Sequence, residues 1–108
     1  MKLYIDTANS KTTLIKIDDR VYEFTYVSPR DQNVLKAVTD AMSAEHKDLV
    51  DLTEIEVNVG PGSFNGLRVG ISVASALSFA LSIPINGQPA GTSIVPFYGA
   101  EPSITKKI

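Results

Sequence analysis

The sequence of 108 residues has no cysteine, no tryptophan and a single histidine, His46. The lack of cysteine excludes a disulfide framework, a thiol nucleophile and every thiolate metal site. One histidine cannot form the pair of a zinc centre, so no metal site is expected and His46 reads as a solvated residue at a helix end. A basic cluster is missing too: ten Lys and Arg against twelve Asp and Glu give a net charge of −2 and a pI near 5.2. That balance argues against unaided nucleic-acid binding, because phosphate neutralisation needs a concentrated positive surface. Nor is a signal segment expected, since Met1-Lys2-Leu3-Tyr4-Ile5-Asp6 turns polar too soon. Between Arg68 and Glu101 no charge occurs, yet Ser72, Ser75, Ser78, Ser82, Pro84 and Asn86 interrupt the run before the roughly 20 apolar residues of a bilayer span. The expectation is a cytoplasmic, soluble protein without membrane contact.

What is present has a clear order. Residues 2–6 and 12–17 are short β-rich runs around a polar turn at Asn9-Ser10-Lys11, and Asp18-Asp19 turns the chain into a third run over 20–27. Ser28 suits an N-cap, Pro29 a first helical position and Asp31 the exposed N–H groups of a first turn, predicting a helix from there to about Ala44. Residues 54–59 alternate Ile55, Val57 and Val59 with Glu56 and Asn58, the two-residue period of a strand. A second helix is predicted over 66–82 and a fifth strand over 83–88, with Thr92-Ser93 capping a short helical turn or an irregular tail over 91–108. The β-β-β-α-β-α-β order predicts an α/β fold with a mixed five-stranded sheet, the ribonuclease H-like half-fold on which actin-like ATPases are built. Residues 1–90 would form one such lobe.

Gly60-Pro61-Gly62-Ser63-Phe64-Asn65-Gly66-Leu67-Arg68 lies at the strand-to-helix junction. Such a turn aims backbone N–H groups and a helix N-terminus at one spot, which suits a phosphate; glycines there equally permit φ > 0 and close helix–strand packing. The Walker lysine is absent, because Gly66 is followed by Leu67-Arg68, and no acid stands about 20 residues on, as a dinucleotide fingerprint requires. A nucleotide site would join Asp6 and Thr7 to Gly60, Gly62 and Ser63. Asp6 has the alternative of binding its own turn backbone. Arg68 suits either clamping a carboxylate or phosphate of a partner or capping the surface end of the helix.

Both helices are candidates for an interface. Val34, Leu35, Val38 and Met42 form a stripe at helical spacing, and Gly70, Ala74 and Ser78, four apart, permit close helix–helix approach. Leu67, Arg68 and Ile71 lie in the same helix. A helix with no charged face, as over 66–82, is buried on most sides, and a domain this small is not expected to bury both helices completely by itself.

Gly60 to Gly70, reading GPGSFNGLRVG, resembles the Gly-Pro-Gly-Ser-Phe-Thr-Gly-Leu-Arg-(Ile/Val)-Gly signature of the bacterial TsaB (YeaZ) family and departs from it at Asn65. Tyr4-Ile5-Asp6-Thr7 is similar to that family's first strand and turn, and Leu52-Thr53-Glu54-Ile55-Glu56-Val57 to its approach to the glycine turn, so the resemblance covers roughly residues 1–88. It implies an actin-like, largely non-catalytic subunit, with no catalytic residue of its own, that pairs with a related catalytic subunit, TsaD, and works with the ATPase TsaE. That assembly installs the threonylcarbamoyl group on the adenosine beside the anticodon, position 37, of certain transfer RNAs. The helices before and after the motif would pack on the partner's equivalent pair, with a homodimer as the other option. Transfer RNA would be met only through the complex. Members usually continue into a second lobe; with one lobe no complete ATP cleft is expected, so no cofactor is expected here and ATP with magnesium belongs to the assembled complex. A nucleotide-binding or hydrolysing actin-like domain is the competing reading.

Overall fold

The computed structural model describes residues 1–97. Three strands form an antiparallel meander: β1 (Lys2–Asp6), β2 (Thr12–Ile17) and β3 (Arg20–Thr25). The chain crosses through helix α1 (Val34–Ala44) to β4 (Glu54–Val57), which lies parallel to β1, and then enters helix α2 (Phe64–Leu81). The sheet order is β3-β2-β1-β4. Register aligns Leu3 with Ile17 and Ile55, and Ile5 with Ile15 and Val57. Strand side chains alternate across a sheet, so these six residues share one face, and all are buried beneath α1 and α2. Burial of each such side chain is worth about 1.5–3 kcal/mol relative to exposure.

Three local expectations are corrected. Residues 29–31 make only a single 3-10 turn, and α1 starts at Val34 with Asn33 as its N-cap, the Asn33 side chain accepting from Lys36 N at 3.1 Å. The intervening Gln32 instead reaches back to the meander, donating to Thr13 Oγ1 at 3.0 Å. The sheet has four strands, not five. Ile85 alone bridges to Ile55, after which Asn86 and Gly87, both at positive φ, reverse the chain so that Ile85 and Gln88 exchange backbone hydrogen bonds. Pro84, without an N–H, cannot extend the ladder inward from the other side. The Asn86 amide instead pairs with the N–H (2.7 Å) and carbonyl (3.2 Å) of Val57.

The helical turn expected at Thr92-Ser93 is also absent from residues 92–97. Thr92 closes a turn on the carbonyl of Pro89 through its N–H and its hydroxyl (3.1 and 2.6 Å), with Gly91 at φ 83°. From there the chain runs back along α2. Gly91 N donates to Ser78 Oγ at 3.3 Å, Ile94 packs on the core, and Phe97 N donates to the Val59 carbonyl at 2.6 Å. The rest of the expected tail lies outside the described residues.

Candidate functional site

The glycine turn is built against the end of β1. Ser63 launches α2: its Oγ accepts from Gly66 N at 3.2 Å and its carbonyl from Leu67 N at 2.9 Å, while its own N–H donates to the Ala8 carbonyl at 2.8 Å. Thr7 is fully buried, and its hydroxyl donates to the Gly66 carbonyl at 2.5 Å. A Cβ on Gly62 would stand 2.6 Å from that of Ala8, one on Gly66 would meet the Thr7 carbonyl, and one on Gly70 the Thr7 hydroxyl. Gly66 and Gly70, one turn apart, thus form a trough on α2 that Thr7 fills. Gly60, at φ 120°, is boxed in by the Phe97 carbonyl and Leu67.

A chain of hydrogen bonds completes the junction. Asp6 Oδ1 accepts from Ala8 N, its own turn backbone, and from Asn58 Nδ2, both at 3.0 Å; Asn58 Oδ1 then accepts from Gly60 N at 3.0 Å. Asp6, Thr7, Gly60, Gly62 and Ser63, proposed from the sequence as one cluster, are therefore brought together. The N–H groups of Gly60, Ser63 and Gly66 and the Thr7 hydroxyl are each paired within the protein.

The interface expectation needs correcting in its residues. Val34, Val38 and Met42 of α1, and Leu67, Ile71 and Ala74 of α2, lie in the folded chain's own interior. The row Gly70, Ala74 and Ser78 faces the protein as well, because Gly70 receives Thr7 and Ser78 Oγ donates to the Ile83 carbonyl at 2.7 Å. Small residues do permit close approach, and here it is the chain's own turn that approaches. Leu35 (48% exposed) and Arg68 are the two proposed interface residues that face solvent.

α2 is nonetheless only half covered. Its outer arc carries Phe64 (54% exposed), Asn65, Arg68, Val69 (38%), Ser72 and Phe79 (77%), with Arg68 the one charge. The Arg68 guanidinium sits 5.3 Å from the centre of the Phe64 ring, a cation–π distance. Asn65, Arg68, Val69, Ser72 and Val73 line a shallow hollow of about 410 Å³. By length and apolarity this helix resembles a membrane span, but its inner half is packed on β1 and β4. A larger hollow, about 520 Å³, lies on the open face of the sheet around Tyr4. Among its charges Lys2 Nζ pairs with Glu56 at 2.6 Å, and its amides Asn58 and Asn86 are engaged as described. Among the described residues no group of acidic or histidine side chains is placed to hold a metal ion.

A family model described as "TsaD: tRNA N6-adenosine threonylcarbamoyltransferase" matches residues 30–87, just over half of the chain. The chain is 31% identical over 88 residues to the tRNA threonylcarbamoyladenosine biosynthesis protein TsaB of Escherichia coli (strain K12), a match covering 79% of this chain and 38% of that protein. It belongs to the TsaB family. TsaB of Bacillus subtilis (strain 168) is 32% identical over 88 residues, covering 78% and 38% respectively. Among solved structures, YeaZ from Pseudomonas aeruginosa superposes with a TM-score of 0.63 at 29% identity, over 78% of this chain and 42% of that one. The likeness supports the ribonuclease H-like, actin-like α/β class, carried here by four strands and two helices. The chain spans 38% of the length of these TsaB relatives.

In and around the TsaB signature, three residues that were not singled out as site residues complete the junction. Ala8 takes the Ser63 N–H, Asn58 links Asp6 to Gly60, and Phe64 stacks under Arg68. Asn58 was legible in principle: a polar side chain between Val57 and Val59, two residues before a glycine, is placed for an Asx-type bond to the Gly60 N–H.

Proposed function

We propose that this chain is a non-catalytic scaffold in threonylcarbamoylation of transfer RNA at position 37, pairing with a TsaD-like catalytic subunit through the outer face of α2, with the exposed Leu35 of α1 as a further contact. Family membership supports the pathway. The observation that carries the pairing is the outer arc of α2, where Phe64, Val69 and Phe79 are exposed on a helix whose one charge is Arg68. Exposed apolar surface of this kind marks a protein contact. The reading extends to a cytoplasmic setting, to a TsaE-like ATPase acting on the assembled pair, and to transfer RNA reached only through the partner. Self-pairing through the same face is the homodimer form of the proposal.

The test is co-purification from the native host with tagged parent chain and with the double variant Val69→Glu, Phe79→Glu. Both positions are exposed, so the fold survives, to be checked by thermal melting, while the partner is lost from the eluate. Retention of the partner by the variant would show that this face is the wrong one.

The proximity of Asp6 and Thr7 to Gly60, Gly62 and Ser63 carries a second reading, a nucleotide site at that junction, in which a phosphate would displace the internal bonds of the Gly60, Ser63 and Gly66 N–H groups. Calorimetry with ATP and magnesium decides it: saturable heat lost on Asp6→Ala supports the site, and no heat at millimolar nucleotide removes it.

A further inference from the structure

Residues 89–97 lie beyond residue 87, where the family-model match ends, and they run the length of α2 without helix or strand. Thr92, Ile94 and Pro96 turn half-buried toward the body, whereas Ser93, Val95 and Phe97 face outward, and no residue of the segment is fully buried. Its ties are Gly91 N to Ser78 Oγ near one end of α2, Ile94 on the core, and Phe97 N to the Val59 carbonyl at the other end. A segment with few buried contacts opens locally at far lower free energy than the sheet and helices it lies on. While docked it occupies useful surface: Pro96 closes a hollow of about 320 Å³ with Arg68, Ile71 and Ser72, and the Phe97 carbonyl stands against Gly60.

We infer that residues 89–97 are a detachable strap that limits access to Ile71, on the flank of α2 beside the exposed Arg68 and Ser72, so that release of the strap strengthens pairing through this helix. The second half of that statement rests on the α2 pairing proposed above. Phe97→Pro removes the N–H that holds the strap at Val59, and Ile94→Ser weakens its middle anchor. Because the chain has no cysteine, Ile71→Cys gives a single thiol beneath the strap, and exchange of the Gly91 amide in the parent background remains the readout if that substitution prevents folding.

On Phe97→Pro, Ile94→Ser, hydrogen exchange of the Gly91 amide, which donates to Ser78 Oγ in the docked strap, should rise about tenfold or more while that of α2 and the sheet stays put. Labelling of the thiol at position 71 by a maleimide should rise by a similar factor, and affinity for a TsaD-like subunit or a second copy should tighten roughly three- to tenfold, the tax that a closed state levies on binding. A Gly91 amide that already exchanges at the unprotected rate in the parent protein would overturn the docked state. Unchanged labelling with the strap shown open would overturn its shielding of α2, and faster labelling with unchanged affinity would overturn the coupling. No pairing by parent or variant defeats the α2 reading instead, and labelling still decides the strap.

Discussion

Two segments lean on α2, and they are attached in different ways. The Thr7-Ala8 turn enters a trough whose floor is glycine, with Thr7 fully buried and its hydroxyl on the Gly66 carbonyl. The 89–97 strap lies along the helix with alternate residues in solvent, held at its ends by backbone N–H groups. A contact that needs the absence of a Cβ at three positions is a fixed part of the fold. One made by a half-exposed extended segment is replaceable, and a partner can displace it. The glycine signature belongs to the first kind: Gly62, Gly66 and Gly70 let strand end and helix touch, and that contact sets which half of α2 faces outward.

Substitutions separate the two attachments. Gly70→Val drives a branched side chain into Thr7 and should cost about 3 kcal/mol or prevent folding, read by urea unfolding, since overpacked sites have little room to yield. Thr7→Val keeps the shape and deletes the second bond to the Gly66 carbonyl, which keeps its helical partner one turn on; a loss of about 1 kcal/mol is expected in the same assay. Val95→Ser on the strap, 76% exposed in the parent, should stay within about 0.5 kcal/mol. Equal costs for Thr7→Val and Val95→Ser would erase the distinction between seam and strap.

A contact remote from both supplies the smallest effect. The Tyr22 hydroxyl donates to Glu45, which also takes Arg20 at 3.2 Å, fastening β3 to the end of α1. That hydrogen bond, aided by burial and the carboxylate's charge, raises the Tyr22 pKa above the ordinary 10.0. A folded value above the unfolded one means that the contribution is complete below the unfolded value and is lost as pH rises through the folded one. Thermal midpoints should therefore fall in that alkaline window for the parent and fall less for Tyr22→Phe.

Much of this architecture was legible. The meander showed in its alternation and in the Asp18-Asp19 turn, and α2 in the serine and glycines that precede a long uncharged run. Facing was harder. A stripe such as Val34, Val38 and Met42 reports that a helix has an apolar side, not whether a sheet or another molecule covers it. The row Gly70, Ala74 and Ser78 likewise announced a close neighbour without naming it, and the neighbour proved to be Thr7, more than 60 positions earlier in the case of Gly70. The onset of α1 was misplaced because Ser28 and Pro29 are good start signals in isolation, whereas Gln32 is drawn to Thr13 and the cap passes to Asn33. The strap carried no periodicity, and its end anchors are backbone groups that any sequence possesses, with Ile94 alone as a side-chain anchor between them.

The Asn86 side chain bears on how copies of this molecule avoid fusing into a continuous sheet. By offering both an acceptor and a donor to Val57 it imitates one residue of an adjoining strand, and with Ile85 on Ile55 it occupies the exposed margin of β4. Unpaired margins template the addition of further chains. At this end of the sheet the place that a foreign strand would take is already filled by the chain's own amide, so growth past β4 is refused without the expense of a fifth strand.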